Sequence, residues 1–139
     1  MSIISAVKTY IKTNSSLTTA SVWVNFLGDD PAQYSIVPLP GNRIVEAYID
    51  GSSLREFPFA FRSVRFTSDE AGRIEAQAFF ETFADWLESQ TEKGTLPTLS
   101  TGQTAESIEA TGWGYILEQG ESETGIYHIQ CRLQYEQEK

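Results

Sequence analysis

The chain has 139 residues, 40% of them apolar and 12% aromatic, and its 19 acids against 10 bases leave a formal charge of −9. A domain of this length buries about 65 to 70% of the surface its unfolded form exposes, so it holds a core without metal or disulfide staples; Cys131, the one cysteine, has no partner for an intramolecular bridge. No apolar run approaches the roughly 18 residues needed to span a bilayer, and Lys8, Lys12 and many Ser and Thr interrupt any secretory-signal pattern at the start.

The elements follow in chain order. Ser2 caps a helix over about 2–14, in which Ile3, Ile4, Val7, Tyr10 and Ile11 recur at helical spacing. Residues 22–27 read as a strand that ends at the turn composition Gly28-Asp29-Asp30-Pro31. Tyr34 to Val37 is a short extended piece that Pro38 and Pro40 confine to an edge or loop. A hairpin is predicted over about 43–66, turning at Asp50-Gly51-Ser52-Ser53. In its second arm Phe57, Phe59 and Phe61 share one face while Val64 and Phe66 fall on the other, which predicts a bulge near Arg62 and Ser63. Pro58 is expected to sit at an edge or to point its missing donor away from the ladder.

Thr67 or Ser68 is expected to cap a long helix over about 68–92, Thr67-Ser-Asp-Glu70 matching a capping box. Ala76, Phe79, Phe80, Phe83, Trp86 and Leu87 form its apolar stripe, and Lys93-Gly94 with Pro97 ends it. Gly94 to Gln103 reads as the candidate flexible linker. A second hairpin over about 107–135 follows, whose last strand puts Tyr127, Ile129, Cys131, Leu133 and Tyr135 on one face and His128, Gln130, Arg132 and Gln134 on the other. The order predicts one α+β domain: a mainly antiparallel sheet of about four to six strands, with the N-terminal helix and the long helix packed on it.

The charge is unevenly spread. Up to Phe66 five acids meet six bases, whereas from Asp69 onward fourteen acids meet four. Binding phosphates through counterion release needs clustered Lys and Arg, so direct nucleic-acid binding is not expected and the acids read first as a solvated surface. Chemistry is thin. His128, the one histidine, reads as structural or surface, with its nearest acids, Glu121 and Glu123, in the hairpin tip. Cys131 points to the opposite face and reads as a buried thiol. Asp29-Asp30 lacks the spacing of a divalent-cation loop and reads as turn chemistry. Gly112-Trp113-Gly114 lacks phosphate-loop spacing and reads as a strand irregularity beside a buried Trp. Phe57, Phe59 and Phe61 could stack bases only with flanking cations, of which Arg55, Arg62 and Arg65 are the few present, so a sheet core is the better reading. No catalytic, cofactor-binding or metal-binding residue is assigned.

The run from Tyr48 to Phe61, the helix segment Phe79 to Glu88 and the closing Tyr127 to Tyr135 resemble small structural proteins of long-tailed bacteriophages, of the kind labelled minor capsid or minor tail proteins. The chain most resembles the tail terminator, or tail completion, family. The resemblance implies a non-catalytic α+β subunit without cofactors. Its copies would form a homohexameric ring that caps the tail tube, with the major tail tube protein and the head-tail connector protein as partners. It also implies a place in the virion, at the tail or head-tail junction, reached from the host cytoplasm during assembly. The acidic second half would then face DNA passing through the ring without holding it. A head-completion or connector protein is the alternative within the class. From another class, a small-molecule or peptide binding module could use an aromatic pocket around Trp86 and Trp113.

Overall fold

A computed structural model describes residues 2–27, 33–119 and 123–139. The order of elements is α1 (Ile3–Ile11), β1 (Val22–Val24), β2 (Tyr34–Pro38), β3 (Ile44–Ala47), β4 (Ser53–Phe66), α2 (Glu70–Lys93), β5 (Gln103–Ala110), β6 (Tyr115–Gln119) and β7 (Thr124–Gln137). The result is the expected α+β architecture, with both helices on one face of a sheet that is antiparallel except where β1 pairs with β2. Among the described residues there are seven strands rather than four to six, because the arm expected over 107–118 is split into β5 and β6. β2 and β3 lie end to end along one side of β4, and β6 and β5 do the same along β7.

Long central strands β4 and β7 pair without interruption from Ser53↔Gln137 to Phe66↔Thr124. The bulge expected near Arg62 and Ser63 is therefore not there; the register shifts fall instead in β3, β5 and β6. Both faces of β4 carry buried residues, Ala60 and Val64 on one and Phe59 and Phe61 on the other, so the apparent slip in alternation needs no extra residue. β2 is also interior, between β1 and β4, not an edge or loop. Its one proline costs no ladder bond: the neighbouring Leu39 N–H reaches Pro58 O at 2.9 Å, so Pro38 points toward the β1 side, where pairing has already ended at Ile36. Pro58 lies in a central strand, not at an edge, but the same bond turns its missing donor away from β7 and toward Leu39, past the end of β2.

α2 covers the sheet with the predicted stripe. Phe61 stacks on Phe83 with ring centroids 4.5 Å apart and on Tyr34 at 5.5 Å, while Phe80 lies 6.0 Å from Tyr127. Each of these buried rings contributes about 1.5 to 3 kcal/mol from burial, with the ring geometry adding to it. The helix starts later than predicted. Asp69 is the cap, accepting from Gly72 N at 2.7 Å, because Thr67 is occupied elsewhere: its N–H donates to Glu123 O and its hydroxyl accepts from Gln119, tying α2 to the β6–β7 tip. Gly94 ends the helix in the left-handed region at φ 74°. The stretch after it is docked rather than a flexible linker, since Pro97 is buried, Leu96 and Leu99 pack on the core and Thr95 O accepts from the Tyr10 hydroxyl at 2.7 Å.

Candidate functional site

The structure disposes of most of the residues with chemical potential. His128 is only 3% exposed, not on a solvated face, and lies on the sheet face away from the helices. Its Nδ1 accepts from Arg62 Nε at 3.0 Å and the Tyr115 ring lies 5.3 Å away. Burial and then the Arg62 charge hold its pKa below the ordinary value, so the imidazole is neutral. A cation in the place where a general base has its orienting carboxylate disfavours that role. Cys131 is buried on the helix side, where burial alone raises its pKa, and it is a poor nucleophile. Phe59 and Phe61 are core, as read. Asp29, Asp30 and Glu121 lie outside the described residues. Among the described residues no three His, Cys, Asp or Glu side chains gather as a metal site, and no helix is long and apolar enough to cross a membrane.

Trp86 and Trp113 are not brought together. Trp86 packs on Tyr10 and Phe83, on the α1 side of α2. Trp113 is 73% exposed, a correction to the buried Trp expected within the Gly112–Gly114 irregularity. The irregularity itself is present between β5 and β6, and it has a cause. A Cβ at Gly114 would stand 2.5 Å from Phe80 Cβ, and Gln77 Nε2 holds Gly114 O at 2.6 Å, so the loop crosses α2 too closely for any side chain.

What remains is surface. β3 and β6 are lateral strands on opposite sides of the sheet, each with one partner, and every residue of both is exposed. Ile44 and Val45 on β3, Ile49 in the following turn, and Tyr115, Ile116 and Leu117 on β6 leave apolar side chains in solvent. Sequence reading placed these segments in hairpins but missed their exposure. The one available signal was the run of consecutive apolar residues where a half-buried strand alternates.

Beside β5 and β6, a groove of about 420 Å³ runs between α2 and residues 109–113. Its walls carry Glu81, Asp85, Glu88, Glu92, Glu109 and Trp113, and no Lys or Arg. Among the described residues the ion pairs belong to Arg132, with Glu56 and Glu109, so the four helix acids are uncompensated. A second cavity of similar size separates α1 from residues 90–98 and is lined by hydroxyl, amide and apolar side chains without a charge. Burial there pushes the Tyr10 hydroxyl up to about 12.

The class of protein defined by this fold is a two-layer α+β domain with open lateral sheet edges and a cationless acidic groove. Compared with known proteins, the chain matches no family model and no curated protein.

Proposed function

We propose that the protein is a non-catalytic virion subunit of a long-tailed bacteriophage, a tail terminator whose copies close into a hexameric ring that caps the tail tube and meets the head-side connector. The observation that carries this reading is the pair of open apolar strands, β3 and β6, on opposite sides of one sheet. In a monomer such strands are an aggregation liability that proteins normally blunt with charge or cover. In a ring each has a neighbour, because two different edges meeting head to tail generate a closed cycle when the rotation per subunit allows it. The resemblance of the Tyr48–Phe61, Phe79–Glu88 and Tyr127–Tyr135 segments to tail terminator proteins supports the same reading. The excess of acids after Phe66 suits a ring through which DNA passes, since an acidic wall repels phosphates within a Debye length.

The test is tube growth. Added to a polymerising major tail tube protein of a long-tailed phage, the chain should stop elongation at a stoichiometry of a few copies per tube end. Growth that continues unchanged, with the chain bound only to the connector protein, would assign it to head completion instead.

A further inference from the structure

We propose that copies of this chain associate head to tail through charge, the Lys8–Lys12 flank of α1 in one copy seating in the acidic, Trp113-edged groove beside α2 of the next. The inference takes from the preceding reading only that the chain self-associates, and adds which surfaces meet.

The two surfaces are complementary and lie at opposite ends of the helix layer. α1 packs over β1 and β2, whereas α2 makes most of its sheet contacts with β5, the far side. Residues 2–27 contain Lys8 and Lys12 and no acid at all. Ala6, Thr9, Tyr10 and Thr13 line the cavity facing residues 90–98, and at 100° per residue this sends Lys8 and Lys12, one turn apart, to the outer flank of α1. Neither lysine is in an ion pair among the described residues. On the other side Glu81, Asp85, Glu88 and Glu92, spaced by four, three and four, form one stripe along the groove wall. Trp113 at its rim offers a ring face to an incoming ammonium.

A displacement that continues the sheet brings these flanks together, and it does more. It carries the exposed Tyr115, Ile116 and Leu117 of β6 toward the β1 side of the next copy, where Phe26 is also exposed. Apolar edge then meets apolar edge beneath the charge contact. Because the flanks differ, each copy keeps one of each free for the next neighbour, which is the heterologous arrangement that closes into rings.

Charge reversal tests this directly. Sedimentation equilibrium at low salt, up to about 1 mM chain, should show concentration-dependent association of the wild type that weakens as salt shortens the Debye length. The Lys8→Glu/Lys12→Glu variant and the Asp85→Lys/Glu88→Lys variant, each confirmed folded by circular dichroism, should each lose self-association by about a hundredfold: in the first, two acids face the four helix acids, and in the second, two lysines offset Glu81 and Glu92 and stand against Lys8 and Lys12. Mixed in equal amounts they should recover it, since each supplies the flank the other lacks; a chain carrying all four changes should recover it alone. Variants that associate like the wild type, or folded variants that fail to complement, would overturn this contact and leave the ring standing. A wild type that stays monomeric at about 1 mM also overturns the contact; the ring reading falls only if tube ends stay bare as well.

Discussion

Arg62 donates its Nε–H to Nδ1 of His128 at 3.0 Å, directly across the β4–β7 ladder, so the fold holds a neutral histidine against a permanent cation. The pKa of His128 is lowered, by burial first and by Arg62 second, from an ordinary value near 6.5. Between that value and the lower folded one, the unfolded chain binds a proton that the folded chain refuses, so stability rises with pH through this window and is lost as pH falls through it.

Thermal unfolding should therefore show a lower midpoint at about pH 5.5 than at about pH 7.5. In His128→Gln, whose amide oxygen still accepts from Arg62, the difference should shrink. An equal pH slope in the two proteins would show that the imidazole is not the responsible group.

Gly114 and Gly112 make a matched pair. Ala at Gly114 meets Phe80 Cβ at 2.5 Å, while Ala at Gly112 meets nothing within 4 Å. Gly114→Ala should cost about 1 to 3 kcal/mol through overpacking, and Gly112→Ala should lie within about 0.5 kcal/mol of wild type. Denaturant midpoints of the two variants decide it; similar midpoints would mean the loop does not cross α2 as described.

The start of α2 separates the residue expected to cap it from the one that does. Asp69→Ala removes the acceptor of the Gly72 N–H and should cost about 1 kcal/mol. Ser68→Ala, at an exposed residue, should cost little. Thr67→Ala should lower protection of the strand amides around Gln119 and Gly125 in hydrogen exchange, because Gln119 loses its hydroxyl partner.

The legible parts of the fold were those in which one residue's environment is set by its own element. β7 alternates because its two faces differ, and the apolar stripe of α2 declares its buried side, so both were readable. The central place of β2 was not, since Pro38 looks forbidding until the chain shows that its missing donor points past the end of β1. The false bulge in β4 came from assuming one dry face where Ala60 and Val64 are buried on the other. For the site, the spacing of Lys8 with Lys12 and of Glu81, Asp85, Glu88 and Glu92 is visible in the sequence, but their placement at opposite ends of one layer is not. Exposure of Trp113 depends on Gly114 clearing Phe80, a contact 34 positions apart in the chain.

Phe61, fully buried between Phe83 and Tyr34, joins sheet to helix. Phe61→Ala should cost about 3 to 5 kcal/mol, and Phe57→Ala, at a half-buried position, clearly less. Comparable losses from urea unfolding would contradict the layering described.

The proposed role places a ring of this chain at the end of a tail tube. Electron cryo-imaging of tubes assembled from a major tail tube protein of a long-tailed phage, with and without the chain, is the decisive measurement. A six-fold ring of added density, one subunit thick, is expected at one end of each tube and none along the shaft; tube ends that stay bare at saturating chain would rule the proposed role out.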